Sequence, residues 1–268
     1  MISSEFREKL KSGAPLLGVF VSIESPTTVE LLAVAGVDYV MIDGEHNPIS
    51  AGDAAEMIRA AEAKGIPAMS RVGENSQQVI AKFLDAGSLG VMIPMVNSAK
   101  DAKAVVDSVK YPPIGKRGLA GVRANDFSTS TGYVDIANEA TVVMVQIETN
   151  DGIKNADEII SVDGVDAVFL GPSDLSVALG VPGQAKHDSV LKVIEELTKK
   201  IVDAGKTAGT IARTPEDYAY WRDRGVQLFL TGANGLLLGA AKDYVEGSRA
   251  LEEGRRSLRL KYYPDLEM

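Results

Sequence analysis

The sequence predicts a closed barrel of eight parallel strands alternating with helices, a (β/α)8 fold, on three observations. Short, wholly apolar runs recur along the chain, helical periodicity fills the intervals between them, and 268 residues is a size at which eight such units close. The runs are "PLLGVFVSI" (15–23), "AGVDYVMID" (35–43), "KGIPAMSRV" (64–72), "AGSLGVMIPM" (86–95), "TVVMVQIE" (141–148), "DGVDAVFLG" (163–171), "AGKTAGTIA" (204–212) and "RGVQLFLTG" (224–232). Most open on a glycine, which suits the left-handed position just past a helix because it has no Cβ to clash there. The residues that follow are hydrophobic throughout instead of alternating, as in a strand covered on both faces.

Taken in order, "MISSEFREKLKSG" reads as a short polar helix over about 3–12. After the second strand, Ala54, Met57, Ile58 and Ala61 share one helical face; before the seventh, Val190, Ile194, Leu197 and Ile201 do the same. A helix near 98–109 leads into "YPPIGKRGLAGVRANDFSTSTG", a stretch with little periodicity. Loops of that length are mostly functional or disordered. Attached to strand four, this one is expected on the C-terminal face of the barrel, with Arg117 and Arg123 as binding residues. The tail at about 245–262 is expected to be an extra C-terminal helix that covers a neighbouring subunit. The whole chain, 1–268, reads as one domain. An open doubly wound sheet competes, but its Gly-rich phosphate turn is missing from "FVSIESPTTVE".

Composition narrows the function. Hydrophobic residues make up 45% and charged residues 24%, as in ordinary globular proteins. The net charge of -9 argues against a nucleic-acid partner, which needs a basic surface. There is no cysteine, so disulfides, thiolate metal sites and a Cys nucleophile are all excluded. No apolar run approaches the roughly 20 residues that span a bilayer, and no secretion signal is visible. The expectation is a cytoplasmic protein without a membrane or nucleic-acid partner.

In barrels of this kind the chemistry gathers at the C-terminal ends of the strands. Those ends carry Asp43, Glu45 and His46 in "DGEH", Arg71 in "SRV", Gln146 and Glu148 in "QIE", and Ser173 and Asp174 in "GPSD". Asp174 alone would pass as a helix cap, and "DGEH" alone as a solvated turn. Glu148, however, ends an apolar run, where a lone carboxylate is costly without a cation or a donor. Two carboxylates without cysteine suit a hard divalent cation such as Mg²⁺ or Mn²⁺, with Co²⁺ a further candidate. A three-histidine zinc site is unattainable, since the second histidine, His187, reads as a surface residue before a helix. A Schiff-base lysine is disfavoured too: Lys116, Lys154 and Lys206 all stand away from strand C-termini. A cation held by Glu148 and Asp174 would chelate a 2-oxo acid. Arg71 would stabilise the developing oxyanion, backbone N–H groups around Ser173 would hold the carboxylate, and His46 would act as the base.

These residues sit in longer segments, among them "GVFVSIESPTTVELLAVAGVDYVMIDGEHNPIS", "FLDAGSLGVMIPMVNSA", "GKRG", "VQIET" and "VDGVDAVFLGPSDLS". In consistent order over about residues 15 to 245, they resemble the HpcH/HpaI aldolases, which are metal-dependent, class II pyruvate aldolases. The resemblance implies reversible cleavage of a 4-hydroxy-2-oxo acid to pyruvate and an aldehyde. It also implies a hexamer built from dimers that exchange C-terminal helices. Carried over by motif, His46 is the acid/base, Arg71 the oxyanion stabiliser, Gln146 and Ser173 substrate ligands, Glu148 a metal ligand, and Asp174 a ligand of both metal and substrate. Asp85 in "FLDAG" becomes the carboxylate that raises the basicity of the histidine, across a subunit boundary. The chain departs from the family pattern at "RVGENSQQ" and in a short loop after "GKRG", both of which help to admit the aldehyde. The resemblance therefore specifies the pyruvate half and leaves the acceptor open. Decarboxylation of an oxaloacetate-like diacid, a citrate-lyase-like reaction, and ligand binding without turnover are the competing readings.

Overall fold

Eight parallel strands close on themselves in sequence order: β1 (Leu16–Val21), β2 (Tyr39–Gly44), β3 (Ala68–Val72), β4 (Gly90–Ile93), β5 (Val142–Ile147), β6 (Ala167–Leu170), β7 (Thr207–Ile211) and β8 (Leu228–Gly232), which pairs back with β1. The computed structural model describes residues 3–262. Every apolar run of the sequence is a strand, and the barrel expectation holds.

Helix α1 (Glu5–Lys11) precedes the barrel, and α2 (Pro26–Val34), α3 (Ala51–Ala63), α4 (Gln77–Asp85) and α5 (Ala99–Val109) follow the first four strands. Helix α6 (Tyr133–Ala140) leads into β5, which is followed by α7 (Asn150–Lys154) and α8 (Ala156–Ile160). Then come α9 (Pro172–Ala178) and α10 (Asp188–Asp203) after β6, α11 (Pro215–Arg222) after β7, and α12 (Ala233–Tyr262) after β8. Helix starts are set locally. Ser50 and Asp53 form a reciprocal capping box on α3, while Ser98, Thr149 and Thr214 cap α5, α7 and α11.

The strands serve two cores, which is why their sequences do not alternate. Outward residues such as Val40, Ile42, Val143 and Val145 pack on the helices, while Tyr39, Met41, Met69, Met92, Met144 and Phe169 fill the lumen. Phe6 and Leu10 of α1 plug the lumen at the N-terminal mouth. Gly18 is a requirement of this packing, because a Cβ there would stand 2.3 Å from the Tyr39 ring. Moving up the inward columns, apolar residues give way to polar ones. Met41 is followed by Asp43, Met69 by Arg71, and Met144 by Gln146 and Glu148. The C-terminal mouth is thereby polar by construction.

One expectation needs correction. The segment 111–132 follows α5, which carries the chain down the outside of the barrel, so it lies at the N-terminal mouth and not on the face where β4 ends. It contains a 3-10 turn over Arg123–Ser128. The C-terminal tail is helical as expected, and it continues α12, one helix of 30 residues from Ala233 onward. Among the described residues, no helix is long and apolar enough to cross a membrane.

Candidate active site

Pairing of β2 with β3 puts Asp43 directly beside Arg71. Arg71 Nε donates to Asp43 Oδ1 at 2.9 Å and Nη2 to Oδ2 at 2.8 Å, a two-pronged ion pair in a buried setting. Nη1 lies 3.1 Å from Glu45 Oε2, and the guanidinium stands 4.4 Å from the centre of the Phe20 ring. Three neighbours thus fix the Arg71 plane. Asp43 also accepts from the backbone N–H groups of Glu45 and His46 and from Asn47 Nδ2, so the turn is wound around a buried carboxylate. Burial alone would push Asp43 up, but the Arg71 hydrogen bonds and charge, with those N–H groups, hold its carboxyl below the ordinary range. Glu45 goes the other way, because burial outweighs the attraction of Arg71 and His46. The His46 side chain is 60% exposed at the rim, with Nε2 3.8 Å from Glu45 Oε2. The "DGEH" turn is thus anchored at one end by buried Asp43 and exposes His46 at the other.

Across the mouth stands Glu148, just past β5 and only 5% exposed. Its Oε1 accepts from the Met95 N–H at 2.8 Å, and its Oε2 accepts from Gln146 Nε2. Among the described residues it forms no ion pair, and the Arg71 charge reaches it only weakly. Burial pushes its carboxyl up to about 7; the Met95 N–H opposes this, while the Asp174 and Glu45 carboxylates add to it. Asp174 sits in the first turn of α9, whose cap is Gly171, so it is not a helix cap. A Cβ on Gly171 would fall 3.0 Å from both Glu148 Oε2 and Gln146 Nε2 and 3.6 Å from Asp174 Oδ2. The two acidic side chains therefore flank one point, and only a glycine leaves it open. Gln146 Oε1 is buried there without a hydrogen-bond partner. Among the described residues, no three His, Asp or Glu side chains form a metal cage. A pair of carboxylates with an open side fits Mg²⁺ or Mn²⁺, which keep positions for water and substrate oxygen. Ser173 is exposed at the rim beside Asp174.

Other expected site residues lie elsewhere. Asp85 ends α4 at the opposite mouth, where Arg117 Nη2 donates to its Oδ1 at 2.7 Å. Arg117 also stacks on Tyr111, and Arg123 pairs with Glu62 and donates to the Ala86 carbonyl at 2.9 Å. Within one chain, none of the three joins His46, because a helix runs the length of the barrel between them and the strand ends. His187 is exposed and caps α10. Lys206 donates to the carbonyls of Val162 and Val165, and Lys116 pairs with Asp107, so neither stands at the C-terminal mouth. Lys110 went unnoticed in the sequence. It is buried, and burial with the Arg7 charge lowers it to about 8, but it donates to the carbonyls of Asn138 and Thr141 at the N-terminal mouth. Phe20 and Met95 were also missed. The inward parity of β1 points to Phe20, whereas nothing in the sequence marks Met95.

The model of the HpcH/HpaI aldolase/citrate lyase family matches residues 16–240. The chain belongs to that family. It is an enzyme that breaks and forms a carbon–carbon bond, an aldolase-type lyase. It is 34% identical over 241 residues to the 2-keto-3-deoxy-L-rhamnonate aldolase of Escherichia coli K12, covering 89% of this chain and 88% of that one. A solved family member from Burkholderia cenocepacia J2315 superposes with a TM-score of 0.88 at 31% identity, over 92% of this chain and all of the other. The citrate synthase SbnG, also at 31% identity, superposes with a TM-score of 0.81 over 94% of this chain and 98% of its own. The family's fold is thus the fold described above, and within it relatives carry both aldolase and synthase names.

Proposed function

We propose that the chain catalyses reversible retro-aldol cleavage of a 4-hydroxy-2-oxo acid to pyruvate and an aldehyde, with Glu148 and Asp174 holding a divalent cation. One observation carries this: buried Glu148 and half-buried Asp174 flank one open point at the C-terminal mouth, and among the described residues neither forms an ion pair. A hard cation such as Mg²⁺ or Mn²⁺ (Co²⁺ in addition) would supply Lewis-acid polarisation of the 2-oxo group.

The remaining work falls to side chains. Of the five N–H groups of Arg71, two are committed to Asp43, which leaves the others for Glu45 and for the oxygen that becomes negative. His46 at the rim takes the proton of the 4-hydroxyl. The C3–C4 bond then breaks, the aldehyde leaves, and its electron pair forms the enolate of pyruvate, whose oxygen Arg71 steadies. Return of a proton to C3 releases pyruvate. Gln146 and Ser173 hold the substrate carboxylate, while Asp43 fixes Arg71 and the His46 turn together.

The test is incubation with pyruvate, Mg²⁺ or Mn²⁺ and a panel of aldehydes, with products read by mass spectrometry. A new 4-hydroxy-2-oxo acid is expected. Full activity after chelation, or a borohydride-trapped lysine adduct, would refute the reading.

Assembly completes it. Helix α12 leaves the barrel with Leu236, Leu237, Leu238, Tyr244 and Leu251 exposed, and α2 exposes Leu31 and Val34. Patches of this kind mark protein contacts. They support a homo-oligomer, a hexamer by resemblance, with exchanged helices and with Asp85 reaching a neighbour's His46. A monomer in light scattering would remove Asp85 from the reaction.

A further inference from the structure

Among the described non-glycine residues with left-handed backbone, Met95 at φ 52° is the one at the C-terminal mouth; Asp126, Phe127 and Ser128 belong to the 3-10 segment far below. A Cβ is crowded in that conformation, so it persists only where the surroundings impose it. Side-chain packing does not impose it here, since Met95 is 60% exposed. The main chain does. Before Met95, Ile93 is paired with Val145 of β5, and Pro94 has its own φ fixed by the ring. After it, the Val96 N–H donates to the Gln146 carbonyl at 3.1 Å, and the Val96 side chain is buried. Asn97 is tied down in turn by Asn155 Nδ2 at 2.8 Å and by the Thr149 hydroxyl. Between these anchors the chain turns left-handed, and the Met95 N–H points at Glu148 Oε1, 2.8 Å away.

We propose that Met95 is a positioning residue whose strained main chain, and not its side chain, aims Glu148. With Oε1 held by that N–H, Oε2 is left facing Gly171 and Asp174, the open point between the acidic pair. The inference rests on Glu148 being a cation ligand.

Titration calorimetry of Mn²⁺ into the substrate-free protein tests it across Met95→Gly, Met95→Asn, Met95→Ala and Met95→Val, with Glu148→Gln alongside. Glycine and asparagine accept the left-handed region, so both should bind Mn²⁺ within about twofold of the wild type. Valine, branched at Cβ, should weaken binding about tenfold, the worth of one hydrogen bond to a charged group. Alanine should fall between, and it carries the comparison if Met95→Val does not fold. Weaker binding by Met95→Gly than by Met95→Val would make the side chain the functional part and overturn the inference. So would a flat series in which Glu148→Gln alone loses affinity. If Glu148→Gln binds Mn²⁺ as the wild type does, the ligand assignment itself fails.

Discussion

The two mouths of the barrel both bury charge, and they treat it in opposite ways. At the N-terminal mouth each buried ion has a partner. Arg7 of α1 donates through Nε to Asp166 Oδ1 at 2.8 Å and through Nη1 to the Glu139 carbonyl, while Asp166 Oδ2 accepts from the Val143 N–H. Lys110 donates to two carbonyls, and Arg117 meets Asp85. At the C-terminal mouth, Arg71 pairs with Asp43 and Glu45, and across from them stand Glu148 and Asp174, which form no ion pair among the described residues. A buried acidic group left without a cation is expensive unless something outside the chain completes it. Balanced charge marks the mouth that holds the fold together, and unbalanced charge the mouth that works.

The largest expected effect removes the imbalance. Glu148→Gln should lower kcat/KM by at least about a hundredfold, through loss of a cation ligand. In the metal-free protein the same change should stabilise. The Glu148 carboxyl titrates near 7 in the fold against an ordinary 4.5, so the folded chain keeps a proton that the unfolded chain has lost. Stability of the metal-free wild type therefore falls as pH rises from about 4.5 through about 7, by something on the order of 3 kcal/mol. Glutamine removes that slope. The Gln146 amide, whose Oε1 lacks a partner, can turn to accept from the new NH₂ group. Urea melts of both proteins at pH 5 and pH 8, without metal, check this. A wild type equally stable at both would mean that Glu148 is balanced by something unseen.

Much of this contrast was legible in the sequence, for physical reasons that differ by residue. A strand buried on both faces writes itself as an unbroken apolar run, so all eight strands could be read in order. The polar residue that ends such a run stands out against it, which is how Glu148, Arg71 and Asp43 were found. Pairings between distant segments leave no such trace. Arg117 follows β4 in the sequence, but α5 takes the chain to the other end of the barrel before its loop begins. Asp85 is a partner of Arg117 only once α4 and the loop are folded side by side. The left-handed backbone of Met95 is imposed by anchors on β5, and a methionine gives no hint of it.

The smaller effect belongs to the N-terminal mouth, and it asks whether the two ends are independent. Arg7→Ala strips Asp166 of its ion pair while the carboxylate, 4% exposed on its side chain, stays buried. Breaking one side of a buried pair is costlier than removing both. The variant should lose about 2–3 kcal/mol in urea melts, less than the full buried-pair value because the Val143 N–H still serves Asp166 and the Arg7 side chain is 18% exposed. Arg7→Met with Asp166→Asn should recover part of that loss, since the amide oxygen can keep the Val143 N–H without leaving a charge behind. Turnover should stay within about twofold of the wild type, because Tyr39, Met41, Met69 and Met144 fill the lumen between the mouths with well-packed apolar side chains. A tenfold fall in kcat alongside the loss of stability would show that strain passes through that packing, and that the plug at one end helps to set the geometry of Arg71 and Glu148 at the other.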